Sequence, residues 1–162
     1  MRDYYPSPIS DVSVKDNEPH ETTAELIERI SSTFVHIIDE HDFDFASPKA
    51  QEVMSHIMPD WVAQLQSFEN GNRTLSLNEQ RVIWRDRAKE HPETRYGIDC
   101  VFSEVREDAR SATVFVSMWV SGIAEATLYN MNECYWRNVK GKWMWIGTKG
   151  IRANPLSSGG LG

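Results

Sequence analysis

The chain has 162 residues and a formal net charge of −7, with 40% hydrophobic and 25% charged residues. This length fits one domain with a hydrophobic core of its own. The acidic balance argues against a nucleic-acid groove or an anionic membrane surface, because both select clustered Lys and Arg; small molecules and proteins are the expected partners. No run approaches the roughly 20 apolar residues that span a bilayer, and the N-terminal residues lack the apolar centre of a signal peptide, so we expect a cytoplasmic protein.

Composition divides the chain into three parts. Residues 1–20 contain three prolines and few apolar residues, which predicts a flexible N-terminal arm. Residues 21–150 carry the periodic patterns of a folded domain. Residues 151–162, which include "NPLSSGGLG", are predicted to form a loose C-terminal tail.

A long amphipathic helix is predicted directly after the arm. Thr22 and Glu25 have the spacing of a capping box, in which each side chain binds the backbone N–H of the other residue. The apolar residues that follow recur at helical spacing and predict one buried stripe. The stripe consists of Leu26, Ile27, Ile30, Phe34, Ile37 and Ile38.

Two further helices have recognisable first residues. Ser47 followed by Pro48 is typical of an N-cap and first helical position, and predicts a short helix. Ser76 and Glu79 form a second capping box, which opens a helix that Pro92 stops.

From Tyr96 onward the apolar residues alternate, as in β-strands. Short breaks separate the runs, and Lys140-Gly141 is typical of a tight hairpin turn. Helices followed by an antiparallel meander of strands predict a single α+β domain. The four runs are "YGIDCVFSEVRED", "RSATVFVSMWVSG", "ATLYNMNECYWRNV" and "KWMWIGTKG".

The order of these elements resembles the nuclear-transport-factor-two-like superfamily, in its SnoaL-like branch. The resemblance covers about residues 21–150: a long first helix, "EHDFDFASPKAQEVMSHIMPDW", another helix, and strands that end in a "WRNVKGKWMWI" hairpin. More narrowly, "WRDRAKEHPE" and "SSGG" are similar to small fungal members associated with secondary metabolism. The resemblance implies a cone-shaped α+β domain of N-terminal helices packed on a strongly curved antiparallel sheet with a central pocket.

This superfamily includes enzymes and proteins without catalysis. Its enzymes, among them ketosteroid isomerases, scytalone dehydratase, polyketide cyclases and meroterpenoid isomerases, share cofactor-free acid–base chemistry by pocket side chains. No family motif matches this sequence residue by residue, so the resemblance assigns no catalytic residue. No Gly-rich phosphate loop, nucleophile elbow or zinc-ligand spacing occurs either, and we expect neither a cofactor nor a metal.

Glu133 is the leading candidate for catalysis, because it stands in a row of large apolar and aromatic side chains. If residues 121–125 form a simple hairpin, the odd-numbered residues of both flanking strands share one face. In one interpretation this face lines the pocket, and the apolar even-numbered row that includes Val114 and Val116 is an outer face suited to a homodimer. In the competing interpretation the even-numbered row is interior and Glu133 is exposed.

The first interpretation assigns roles to particular residues. Glu133, shielded from water, would accept or donate a proton near neutral pH. Tyr129, four residues before Glu133 on the same face, could hydrogen-bond a substrate carbonyl, although ordinary packing explains it equally well. His41 continues the apolar stripe of the first helix and would lie near the pocket, or would cap the helix end. The predicted substrate-binding wall consists of Trp61, Trp84, Phe115, Trp119, Met131 and Tyr135.

Together these patterns predict a cofactor-independent acid–base enzyme of the isomerase, cyclase or dehydratase type. By resemblance, its substrate would be a mostly apolar polyketide, terpenoid or alkaloid intermediate of secondary metabolism. The alternative is a non-catalytic module of the same fold that binds a small molecule or dimerises.

Overall fold

Three helices and six strands make up the part of the chain that the computed structural model describes, residues 20–67 and 71–153. The predicted arm and tail lie almost entirely outside these residues. None of the described helices is long and apolar enough to cross a membrane. In chain order the elements are α1 (Thr23–Asp39), α2 (Pro48–Ser55), β1 (Ile57–Ser67), β2 (Gly71–Ser76), α3 (Leu77–Glu90), β3 (Arg95–Arg106), β4 (Ser111–Ser121), β5 (Leu128–Val139) and β6 (Lys142–Ala153).

All three predicted helix starts are confirmed. The Thr22 hydroxyl accepts from the Glu25 backbone N–H at 3.2 Å, and the Glu25 carboxylate accepts from the Thr22 N–H at 3.0 Å. Ser76 and Glu79 make the same reciprocal pair at the start of α3, with distances of 3.1 and 3.3 Å. At the start of α2 the Ser47 hydroxyl accepts from the Ala50 backbone N–H at 3.2 Å. These local bonds satisfy N–H groups that the first helical turn leaves free.

The strands form one curved sheet in the order β2-β1-β6-β5-β4-β3. The predicted antiparallel meander is confirmed for β3 to β6, whereas β1 runs parallel to its neighbour β6. The sequence pattern does not predict β1 or β2 as strands; β1 pairs with β2 directly after it and with the distant β6. The stretch "ENGNR" (69–73) has the composition of a turn; residues 69–70 lie outside the described chain, and residues 71–73 belong to β2.

The register shifts in three strand pairs, β1–β6, β3–β4 and β5–β6, and in the last two a single extra residue is responsible. In β3, Asp99 is an extra residue between the pairs that Ile98 and Cys100 make with β4. In β6, Ile146 is the extra residue opposite the Tyr135–Trp136 step of β5. An extra residue of this kind kinks a strand and increases its twist, which helps the sheet to wrap around an interior.

The core lies between α1 and one face of the sheet. Ile27, Ile30 and Ile37 on the predicted stripe have no exposed surface. Opposite them, the side chains of Val114 and Trp136 are at most 1% exposed. The fold is therefore α+β, with helices packed on the concave face of a six-stranded sheet.

Two glycines with nearly the same backbone angle should respond very differently to alanine. Gly122 and Gly141 have φ of +86° and +87°, so a side chain strains both. A Cβ at Gly122 would also lie 2.5 Å from the Glu93 carbonyl oxygen, whereas one at Gly141 meets nothing within 4 Å. We expect Gly141→Ala to cost about 1 kcal/mol and Gly122→Ala about 2 to 4 kcal/mol in urea unfolding. Equal losses would contradict the close contact at Gly122.

Candidate ligand-binding cavity

A cavity of about 310 Å³ lies between α1, α3 and the concave face of the sheet. Its volume is at the lower end of the range, roughly 300 to 1,000 Å³, that is typical of small-molecule sites. The wall is mostly apolar and aromatic, with polar side chains at a few positions. The larger apolar members are Phe34, Trp61, Ile83, Trp84, Met118 and Trp145.

Contacts between aromatic rings hold this wall in place. The Phe34 ring meets Trp145 and Trp84 edge-on, with centroids 5.1 and 5.5 Å apart. Trp61 meets Trp145 at 6.0 Å in the same manner. Edge-to-face contacts are the favoured geometry of aromatic pairs, so the apolar part of the cavity has a defined shape.

The polar part of the wall is made by amides and guanidinium groups. Asn130 and Asn132 project from β5, and Gln80 and Arg87 from α3. A Cβ at Gly150, on the neighbouring strand, would lie 3.1 Å from the Asn132 side-chain oxygen, so the missing side chain leaves room for this amide. The other polar residues that line the cavity include Ser31, Gln66, Arg73, Tyr96 and Thr148.

Tyr96 connects the cavity to the ion pair between Asp39 and the exposed Arg95. Its hydroxyl lies 3.4 Å from the Arg87 guanidinium, and its backbone N–H donates to the Asp39 carboxylate at 2.8 Å. The same carboxylate accepts from the Arg95 guanidinium at 2.9 and 3.1 Å. The bond from Arg95 holds the pKa of Asp39 below its usual value. Asp39 is therefore ionised and already bound at neutral pH.

Cys134 forms another part of the wall. Burial raises the pKa of its thiol to about 12, while the thiol bonds to Thr148 and Ser31. The Ser31 hydroxyl also accepts from the Trp136 indole N–H at 3.3 Å. Cys134 is therefore an uncharged thiol whose hydrogen bonds are made within the protein.

The chemistry of the lining differs from that predicted. No Asp, Glu or His side chain is among the lining residues in the part of the chain that the structure describes. Its ionisable groups are Arg73, Arg87, Tyr96 and Cys134. Such a wall recognises hydrogen-bond acceptors and charge, and it provides no carboxylate or imidazole for proton abstraction.

The prediction that Glu133 faces the cavity is wrong. Glu133 lies on the opposite face of the sheet, paired in register with Phe115 on β4 and Lys149 on β6. Its carboxylate accepts a 2.5 Å hydrogen bond from the Tyr135 hydroxyl. Burial, and then this contact with Glu133, raise the pKa of Tyr135 to about 12.

The competing interpretation of the sheet is the correct one. The hairpin register predicted between β4 and β5 is confirmed, with Phe115 opposite Glu133 and Trp119 opposite Tyr129. It is the even-numbered row that faces the core, because its valines are packed under α1 and almost fully buried.

Five predicted cavity residues therefore lie on the outer face with Glu133. The Trp119 ring covers Gly97, where a Cβ would overlap it. The Phe115 ring stacks on Phe102 with centroids 4.7 Å apart, and Tyr129 is 40% exposed. The residues whose predicted cavity position is corrected are Phe115, Trp119, Tyr129, Met131 and Tyr135.

His41 also lies away from the cavity. Helix α1 ends at Asp39, and His41 has a left-handed φ of 59°, so helical spacing no longer determines where its side chain points. The imidazole is exposed and stacks on Phe43 with centroids 5.4 Å apart. Catalytic roles for His41, Tyr129 and Glu133 stay predictions, without support from the cavity geometry.

Trp61 and Trp84 are the predicted wall residues that do line the cavity. Sequence analysis missed Gln80, Arg87, Tyr96 and the two asparagines of β5. Asn130 and Asn132 did leave a signal, since they are amides in the otherwise apolar even-numbered row of their strand. The sequence of helix α3 contains no such signal for Gln80 or Arg87, because its many charged residues are typical of an ordinary solvated face.

Comparisons with known proteins identify the fold. No protein-family model matches the chain, and a search of curated proteins finds no match. Among solved structures, the chain is similar to an NTF2-like protein from Cytophaga hutchinsonii, with a TM-score of 0.53, 10% identity, and coverage of 78% of this chain and 95% of that one. A protein with a cystatin-like fold from Caulobacter vibrioides has a TM-score of 0.58 and 9% identity, with coverage of 83% of this chain and 92% of that one. The S. rosetta CaMKII hub has a TM-score of 0.61 and 12% identity, with coverage of 82% of this chain and 98% of that one.

These likenesses define the fold of the protein. The chain has an NTF2-like cone fold. At sequence identities of 9 to 12%, these similarities show a shared fold and nothing beyond it. The SnoaL-like branch and its fungal members remain a proposal.

Proposed function

We propose that the protein binds a mostly apolar small molecule in the central cavity. The observation that carries this proposal is the cavity itself, about 310 Å³ of space whose aromatic wall is held by ring contacts and interrupted by a few amides. Pockets that combine an apolar wall with a few convergent polar groups are the usual sites for small molecules. Rigid walls favour binding, because little order is lost when the ligand enters.

The chemistry of the wall indicates the chemistry of the ligand. An apolar ring system would lie against Phe34, Trp84 and Trp145, where it buries most surface. Oxygen atoms on the ligand would accept hydrogen bonds from Asn130 and Asn132. A polyketide, terpenoid or alkaloid intermediate, the substrate class implied by resemblance to the SnoaL-like branch, has this combination.

A cofactor-independent isomerase, cyclase or dehydratase is the second candidate function. The observation that favours it is the Tyr96 hydroxyl, which lies 3.4 Å from the Arg87 guanidinium in the cavity wall. A phenol hydrogen-bonded by a guanidinium can donate to a substrate carbonyl and stabilise the oxyanion that develops there. In this hypothesis Tyr96 takes the role that the sequence assigned to Tyr129.

We also propose that two copies associate through the outer face of the sheet. Phe102 and Tyr129 on this face are 49% and 40% exposed, and Phe102 stacks on Phe115. Glu133 lies opposite Lys149 there, so a face-to-face pair of copies can match opposite charges across a two-fold axis. We retain the homodimer predicted from the sequence, but we propose the odd-numbered residues of β4 and β5 as its interface in place of the even-numbered row.

Filling the cavity tests small-molecule binding. Met118 lines the cavity, whereas Met131, on the adjacent strand, lies on the outer face. We expect Met118→Trp to weaken binding of the neutral fluorescent probe N-phenyl-1-naphthylamine by at least about tenfold, because the indole occupies the ligand's space. Met131→Trp is the matched control and should leave affinity within about twofold.

The readout is probe fluorescence in a titration, with circular dichroism to verify that both variants fold. If wild-type protein fails to bind the probe, or if both variants lose affinity equally, the cavity is not the binding site.

A further inference from the structure

We infer that the ligand carries a carboxylate group, which binds at the Arg87 end of the cavity. This inference rests on the proposed small-molecule binding and adds the charge of the ligand to it. The expected ligand class is a monocarboxylic acid with an aromatic or alicyclic body, small enough for about 310 Å³.

The first step is the charge of the cavity wall. Arg73 and Arg87 both line the cavity, and the described lining contains no acidic side chain to balance them. This local excess of positive charge is unexpected in a chain whose formal net charge is −7. Beyond about 8 Å the negative surface is largely screened at physiological salt, so an anion inside the cavity experiences mainly the guanidinium groups.

The second step is that Arg87 differs from three other arginines of the protein in having no ion pair within the described part of the chain. Arg29, Arg85 and Arg95 each form an ion pair with a carboxylate. Arg87 is half-buried, and no carboxylate among the described residues lies within 4 Å of its guanidinium. A partly desolvated cation without a counter-charge is costly, and an anionic ligand would remove that cost.

The third step concerns the groups that could have neutralised Arg87. Asp39 lies close to Tyr96, but its oxygens are bound by Arg95 and by the Tyr96 backbone N–H. Arg87 is left with the neutral Tyr96 hydroxyl at 3.4 Å, which is long for a hydrogen bond. The guanidinium therefore keeps donors for a bidentate contact with a ligand carboxylate.

The fourth step is the arrangement along α3. Gln80, Trp84 and Arg87 are three or four residues apart and line the cavity from one face of the helix. Gln80 is only 7% exposed, so its amide faces the interior of the protein. A ligand whose carboxylate meets Arg87 would have its ring against Trp84, with the Gln80 amide available to a second oxygen.

A matched pair of probes tests the charge of the ligand. 2-Naphthylacetate and 2-naphthylacetamide share the same ring system and differ in their negative charge. We expect wild-type protein to bind the acid at least about tenfold more tightly than the amide in isothermal titration at pH 7.5. Met118→Trp should weaken both, because both occupy the cavity.

Substitutions on α3 locate the contact. Arg87→Met should weaken binding of the acid by roughly 10- to 100-fold and of the amide by less than about threefold. Lys89→Met removes the same charge from an exposed position on the same helix and should change neither affinity by more than about twofold. Arg87→Lys, which keeps the charge but not the planar fork, should retain part of the preference for the acid.

The outcomes separate this inference from the proposed function. Equal binding of acid and amide by wild-type protein, with both lost in Met118→Trp, would overturn the carboxylate inference and leave small-molecule binding intact. Equal losses in Lys89→Met and Arg87→Met would also overturn it, because the effect would then be long-range. If neither probe binds and N-phenyl-1-naphthylamine does not bind either, both the proposed function and the inference fail.

Discussion

Replacement of Trp136 by alanine is expected to lower the free energy of unfolding by about 3 to 5 kcal/mol. Trp136 is 1% exposed and stacks on Trp145 with centroids 5.6 Å apart. Its indole N–H also donates to Ser31 on α1. The substitution would leave a void between α1 and the sheet, and the Ser31 hydroxyl would lose its hydrogen-bond donor. The loss in stability therefore includes packing and a buried hydrogen bond.

Urea denaturation followed by circular dichroism measures this effect without relying on tryptophan fluorescence. The control is Trp119→Ala, on the outer face, where the lost side chain was only partly buried. We expect it to cost about 1 to 2 kcal/mol. A loss in Trp119→Ala as large as that in Trp136→Ala would reverse the assignment of inner and outer faces.

Phe34→Ala should have the second large effect, about 3 to 4 kcal/mol in the same unfolding measurement. The Phe34 ring is 6% exposed and contacts four other rings, those of Phe45, Trp61, Trp84 and Trp145. Because Phe34 also lines the cavity, its removal enlarges the ligand space as well as loosening the wall.

Phe102→Ala provides the comparison for Phe34. Phe102 also stacks on another phenylalanine, but it is 49% exposed, and we expect a loss of about 1 kcal/mol. A cost for Phe34→Ala below about 1.5 kcal/mol would mean that the wall is not a packed part of the core.

Helices were the most predictable part of the fold, because their starting signals are local. A capping box such as Thr22 with Glu25 acts within four residues, whatever surrounds it. The end of α1 was less predictable: His41 continues the apolar spacing, yet the chain turns into a left-handed conformation there. A repeated spacing does not reveal where the helix stops.

The sheet was predictable in register but not in orientation. Alternation places Glu133 and Val114 on opposite faces, and it does so equally well whichever face is inside. The decision comes from α1, which packs on the valine row. On the outside, Trp119 covers Gly97 and Phe115 stacks on Phe102, which a sequence pattern cannot distinguish from a pocket lining.

The polar cavity residues could not be found from local patterns, since they converge from separate elements. Arg87 lies on α3 and Tyr96 on β3, and their side chains meet at 3.4 Å across the turn between the two elements. Asp99, an extra residue in β3, also shifts the alternation, so that Ile98 and Val101 pair with residues of the same inner row. Strict alternation would place these two residues on opposite faces.

The parallel pairing of β1 with β6 has a consequence for the order of folding. It joins positions roughly 85 residues apart, such as Val62 and Gly147, whereas strands β3 to β6 each pair with their neighbour in the chain. Closing so long a loop is slow, so we expect the four-strand meander to form first and the β1–β2 hairpin to dock last. Because β1 supplies Trp61 and Ala63 to the wall, the cavity closes only at that final step, and a bound ligand would hold the hairpin in place.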